Sequence, residues 1–187
     1  ACARRRLGAR AEAVLAEETL YVTLEPCSRP GRVGACTDAI AAAGIPRVVY
    51  AVGDPNPTNR GRATRVLAAR GIRCERFRGD RQVLAAARDL IAPFAKHVTT
   101  GLPYVTVKLA MSLDGRICDD VGQARWISSA TSRAHTGRLR AEADAILVGA
   151  ETVRRDDPSL LCHQRRNDDL VRVVVSKSGK LPRTAQV

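Results

Sequence analysis

The sequence predicts an α/β protein with a largely parallel sheet covered on both faces. Three observations carry that prediction. Helix-period segments and short apolar strand candidates alternate from residue 4 to residue 94. The strand candidates are continuous apolar runs rather than alternating ones, as expected where both faces of a sheet are buried. A polar break around His97, Thr99, Thr100 and Gly101 separates this stretch from a second series of strands and helices.

Taken in order, residues 4–17 (RRRLGARAEAVLAE) carry Leu7, Ala11, Val14 and Leu15 on one helical face. Residues 20–24 (LYVTL) are rich in β-formers and read as a buried strand. The strand runs into Glu25-Pro26-Cys27 and a loop holding Gly31, after which helical spacing over 37–43 stops at Gly44. Residues 47–52 (RVVYAV) form a second buried strand. The turn-rich Gly53-Asp54-Pro55-Asn56-Pro57 follows, then a helix over 61–70 ended by Gly71, a shorter strand over 72–77 and a helix over 81–94. Beyond the break, 103–110 (PYVTVKLA) is a strong strand candidate, and 111–117 turns and resumes as strand. Trp126-Ile127-Ser128-Ser129 leads into a helix over 132–142, where serine and threonine suit an N-cap. Residues 145–148 are a strand, 149–153 begin a helical turn, and 171–175 (VRVVV) are a further strand. The expected domains are 1–97 and 98–187.

Composition narrows the classes of function. No run approaches the roughly 18 apolar residues of a membrane span, and the basic N-terminus lacks the apolar core of a signal peptide. Six scattered cysteines in a chain of 187 residues point to free thiols in a reducing cytosol, so a cytoplasmic protein is expected. The net charge of +12 invites a nucleic-acid partner. However, 27 arginines and 4 lysines are spread along the chain with no basic stripe and no interleaved aromatics, which argues against one.

The stretch Thr19 to Cys36 (TLYVTLEPCSRPGRVGAC) carries the chemistry of the first half. Two thiols, Cys27 at a strand end and Cys36 at a helix start, can converge on one ion, and the helix N-terminus would favour the thiolate form a metal needs. The alternative is a pair of small apolar residues flanking a loop. Pro26-Cys27 with a second cysteine is the latter half of a zinc-deaminase signature, H-x-E then P-C and Cys, here with eight residues between the thiols.

With LYVTLEPCS, GR, C, AGI-RVV, DPNP and a later GI in the first half, and G-PYVTVKLA-SLDGRI, W-I-S and LR-E-DAILVGAETV-DDPSL in the second, the chain resembles the bifunctional riboflavin-biosynthesis deaminase/reductase over nearly its whole length. The resemblance implies a cytidine-deaminase-like three-layer domain followed by the first part of a dihydrofolate-reductase-like domain. It also implies a zinc-dependent deaminase and an NADPH-dependent reductase acting on a small pyrimidine ribosyl phosphate. Neither a membrane nor a nucleic acid is an expected partner, and self-association into a homo-oligomer is left open.

Three departures from the family pattern stand out. The family's H-A-E motif has two placements: Cys2-Ala3-Arg4, which offers a thiolate, and Arg10-Ala11-Glu12, which keeps the glutamate. Arginine cannot ligate zinc. The family's CSHHG is CSRPG here, with Arg29 and Pro30. Ser176-Lys177 stands where Asp-Ser is expected, His163 stands where an arginine is expected, and the glycine-rich turn for cofactor phosphates lies beyond the family segment matched.

By resemblance, Cys27, Cys36 and Cys2 are the candidate metal ligands. Glu12 is the candidate proton carrier, or else a solvated helix residue. Asp54 and Asn56 would hold the substrate, or simply close a hydrogen-bonded turn. In the second half Lys108, on a strand expected to bury both faces, together with Asp114, Arg140 and Leu160, would contact substrate. Ala110, Trp126, Thr152 and Asp156 would meet the cofactor, with plain core as the alternative for Trp126. Two other functions remain open at this point: a reductase-type protein with a non-catalytic deaminase scaffold, and a non-catalytic module that binds a pyrimidine nucleotide or a partner subunit.

Overall fold

The computed structural model describes residues 8–31, 33–118, 126–161 and 170–187. The chain forms two compact units, Ala1–Thr106 and Val107–Val187.

In the first unit a short 3-10 turn, Gly8–Arg10, leads into α1 (Ala11–Leu15). Then follow β1 (Thr19–Leu24), α2 (Cys36–Ala42), β2 (Arg47–Val52), α3 (Arg62–Ala68), β3 (Arg73–Arg76) and α4 (Arg81–Thr100). The three strands pair in parallel in the order β1-β2-β3, with Tyr21 beside Val49 and Val49 beside Glu75. Parallel neighbours need crossovers, and α2 and α3 supply them. Alternation along β2 sends Val48 and Tyr50 to one face, where they meet Ile40, Ala63 and Leu67 in the main core. Ala63 and Leu67 are four residues apart on α3 and so share a helix face. Leu67 and Val48 are fully buried, and each contributes about 1.5–3 kcal/mol of hydrophobic stabilisation. Val49 and Ala51, on the opposite face of β2, are buried as well, and α4 packs against β1 and β2. The result is the three-layer α/β arrangement that the alternating pattern predicts.

The second unit contains α5 (Ala130–Glu142), β4 (Ala145–Gly149), α6 (Ala150–Asp156) and β5 (Val171–Val175). Here β4 and β5 pair in parallel, Ala145 with Val171 through Gly149 with Val175. The Ser129 side chain accepts from the Ser132 N–H at 3.2 Å, which is the N-cap its position suggests.

Two expectations fail. The helix from Arg81 does not stop at residue 94: it continues through Pro93 to Thr100 and is closed by Gly101, at φ 71°, whose N–H donates to His97 O at 2.8 Å. The threonines that looked like a break hydrogen-bond back into the helix, Thr99 Oγ1 to Ala95 O and Thr100 Oγ1 to Lys96 O, both at 2.7 Å. The strand predicted over 103–110, and its resumption over 111–117, is absent: these residues have no strand pairing. β-propensity is a capacity to pair, and β4 and β5 pair only with each other among the described residues. Consequently Lys108 does not sit on a strand buried on both faces. It is exposed, as are Val107 and Leu109 on either side of it.

Candidate functional site

The first strand delivers its C-terminal end to a loop, and the loop returns the chain to the start of α2. Cys27 and Cys36 therefore meet: Cys27 Sγ lies 3.2 Å from Cys36 Sγ, and the Cys36 N–H donates to Cys27 Sγ at 3.2 Å. The Thr37 N–H in turn donates to Cys27 O at 3.1 Å. Two convergent sulfurs are soft ligands suited to zinc. Among the described residues no group of three His, Cys, Asp or Glu side chains gathers, so the donor set seen fills two positions of such an ion. Cys2, the candidate third ligand, lies outside the described residues, as does His163. Desolvation, and then the hydrogen bond with Cys27, push the Cys36 thiol above its ordinary pKa.

Behind the thiols stands a buried polar network. Glu25, at the end of β1, is 2% exposed. Its carboxylate accepts three backbone N–H groups, from Asp54 (3.1 Å), Gly61 (3.0 Å) and Ala63 (3.2 Å). Asp54, also buried, accepts from Asn56 N at 2.8 Å and from Asn59 Nδ2 at 2.7 Å. Asn59 Oδ1 then takes the Ser28 N–H at 2.8 Å and the Ser28 hydroxyl at 2.9 Å. Asn56 Oδ1 accepts from the backbone and hydroxyl of Thr58, at 3.0 and 2.9 Å. Asp54 and Asn56 are thus brought within one loop beside the cysteine pair. Glu25 and Ser28 stand inside the LEPCS motif with no role assigned to them from the sequence, and Asn59 is not among the sequence candidates. The available signal was a carboxylate directly after an apolar strand and before Pro26-Cys27, a position where a charge is buried only if paired.

Other candidates are placed without convergence. Glu12 is exposed on α1. Asp114 accepts from the Ser112 hydroxyl and pairs with Arg116 at 3.3 Å, and these contacts, the serine first, hold its carboxyl below the usual range. Trp126 is 62% exposed rather than core, with the Arg133 guanidinium 4.4 Å above its ring. Ala110 and Arg140 are half-buried, and Thr152 and Asp156 lie one turn apart on exposed positions of α6. Leu160 is 3% exposed with φ 53°. Among the described residues no hydrogen bond or ion pair joins Lys108, Asp114, Arg140, Thr152 and Asp156 to one another.

Comparison with known proteins follows this division. Residues 1–52 match the profile of the cytidine and deoxycytidylate deaminase zinc-binding region, and residues 103–187 match the RibD C-terminal domain. The riboflavin biosynthesis protein RibD of Aquifex aeolicus is 40% identical over 170 residues, which is 90% of this chain and 47% of that protein. The chain is similar to RibD proteins over nine-tenths of its own length. RibD of Escherichia coli is 43% identical over 142 residues, covering 76% of this chain and 38% of that protein. Among solved structures, RibD of Acinetobacter baumannii superposes with a TM-score of 0.77 at 35% identity, over 98% of this chain and 51% of that one. A diaminohydroxyphosphoribosylaminopyrimidine deaminase/5-amino-6-(5-phosphoribosylamino)uracil reductase of Thermotoga maritima gives 0.71 at 34% identity, over 84% of this chain and 44% of that one. The chain spans about half the length of the RibD relatives it matches. The fold class is accordingly cytidine-deaminase-like followed by a RibD C-terminal portion. No helix among the described residues is long and apolar enough to cross a membrane.

Proposed function

We propose that this chain serves riboflavin biosynthesis in the cytoplasm, singly or as a homo-oligomer. Its portion 1–97 would act in hydrolytic deamination of a diaminopyrimidine ribosyl phosphate, and its portion 98–187 in NADPH-dependent reduction of the ribosyl group to ribityl. The observation that carries the reading is the Cys27–Cys36 pair, 3.2 Å apart at a strand end and a helix start, inside the segment similar to a deaminase zinc-binding region.

In this reading Cys27 and Cys36 hold zinc, with Cys2 as third ligand. Zinc, when bound, supplies a water activated for attack at the amino-bearing ring carbon. Glu12 is the candidate carrier of protons to the departing ammonia. Asp54 is engaged by Asn56 and Asn59, so its part is to shape the loop that presents Asn56 to the substrate. In the second portion Lys108, Asp114, Arg140 and Leu160 are the proposed substrate contacts, with the planar Arg140 fork suited to phosphate oxygens. Ala110, Trp126, Thr152 and Asp156 are the proposed NADPH contacts.

The test is the zinc content of the freshly reduced chain, measured beside Cys27→Ser. One equivalent that disappears in the variant is the expected result, and an absence of zinc from both sinks the metal half of the reading. A second reading, reductase chemistry on a deaminase scaffold, is favoured by the lack of a third ligand among the described residues. It predicts NADPH binding, followed by quenching of Trp126 fluorescence, with no zinc.

A further inference from the structure

We propose that Asn59 is a positioning residue for Cys27, acting as a clamp on the two peptide groups that flank it. The inference rests on the reading that Cys27 and Cys36 ligate zinc. Direction of the Cys27 side chain is set by the planes of peptides 26–27 and 27–28, since two soft dihedrals per residue are all the backbone has. Asn59 reaches both planes with one amide. Its Oδ1 accepts the Ser28 N–H at 2.8 Å, and its Nδ2 faces Pro26 O at 3.5 Å while donating to Asp54 Oδ2 at 2.7 Å.

Orientation of the amide is decided by chemistry. An N–H group faces one end, so that end is the oxygen; a carboxylate and a carbonyl face the other, so that end is the nitrogen. Asn59 is 5% exposed, which keeps these bonds from exchanging with water. Its own support runs backwards through Asp54 to Glu25, whose carboxylate ties the end of β1 to Gly61 and Ala63 at the start of α3. The sheet, the start of α3 and the thiol loop are therefore joined through Glu25, Asp54 and Asn59, and Asn59, the member nearest the loop, hydrogen-bonds to neither sulfur. Residues that orient a metal ligand in this way typically change affinity by about 10- to 100-fold when removed.

The test uses the full reduced chain and cobalt(II) as the metal probe, with binding followed by the thiolate-to-cobalt absorption. A second, metal-free readout is the equilibrium of the Cys27–Cys36 pair with glutathione. There one glutathione disulfide is reduced to two glutathiones as one intramolecular disulfide forms, so the constant measures how well the sulfurs are held together. Asn59→Ala is expected to lower both constants by about tenfold or more. Ser28→Ala, which keeps the Ser28 backbone donor, is expected to lower them by about threefold or less. Leu67→Ala, in the hydrophobic core and outside the polar network, sets the effect of lost stability alone and is expected to leave both constants of the folded protein unchanged. Should Asn59→Ala fail to fold, Asn59→Ser replaces it, being too short to span both peptides.

Constants for the Asn59 variant within twofold of the parent overturn the inference, and so does an equal loss in Leu67→Ala. If the parent chain binds no cobalt, the metal reading fails by itself. The glutathione equilibrium then decides the clamp: a tenfold fall supports it and no change overturns it.

Discussion

Two parallel sheets of similar sequence character end in different surroundings. In the first unit β2 buries Val48, Val49, Tyr50 and Ala51, with α2, α3 and α4 against the sheet. In the second, β4 and β5 are equally apolar, yet Leu147 is 65% exposed, and Val171, Val173 and Val175 are exposed too. α5 buries no residue, and α6 buries only Ala150 and Val153. An apolar run is therefore necessary for a buried strand and not sufficient for one; what decides is whether amphipathic helices return to both faces.

The polar groups make the same contrast. Glu25, Asp54 and Asn59 are buried and mutually satisfied in the first unit. The charged contacts of the second, such as Glu151 with Arg154 and Arg155, are solvent-exposed pairs along one helix.

The largest effect is expected at the most deeply committed polar group. Glu25→Ala leaves three backbone N–H groups without their acceptor and should cost about 3–5 kcal/mol in denaturant unfolding. Glu25→Gln retains one acceptor oxygen and should cost less, so equal losses would show that the network is not held through these bonds.

Next comes a matched pair of leucines. Leu67→Ala should cost about 2–5 kcal/mol, whereas Leu147→Ala should stay within about 0.5 kcal/mol. A large loss at Leu147 would erase the distinction between the two sheets.

Smaller still is Thr37→Val. The Thr37 hydroxyl is fully buried and makes no hydrogen bond. Replacing it by a methyl group should raise the unfolding free energy by up to about 1 kcal/mol, and a loss instead would reveal a partner for that oxygen.

The smallest effect is on pH dependence. Hydrogen bonds from Arg47 first, and then from Arg73, hold the Glu75 carboxyl below its usual range; Arg155 and then Arg154 do the same for Glu151. A depressed carboxylate stabilises the fold above its unfolded pKa and loses that contribution as pH falls through the folded value. Stability should thus decline on acidification below roughly pH 4, with a shallower decline in Glu75→Gln and Glu151→Gln. Identical slopes for parent and variants would remove these pairs from the acid response.

Much of the first unit was legible because its signals are local. Glycines 44 and 71 each close a helix at positive φ as read, Arg47–Val52 is a strand as read, and Pro26-Cys27 with Cys36 marks the thiol pair. The extended segment at 103–110 shows the limit: its β-branched pattern says that it can pair, while a ladder needs a second strand that local sequence cannot supply. Pro93 shows another. A proline removes one N–H from a helix, and whether the helix survives depends on packing along the rest of its length.

By itself, then, the sequence determined the alternating elements, the parallel sheet and the two cysteines that meet. Only the tertiary structure decided that Glu25, Asp54 and Asn59 form one buried network behind those cysteines, because their partners lie about thirty residues apart along the chain. It also decided which apolar strands are covered. Burial depends on what the rest of the chain brings to a face, and no window of sequence contains that.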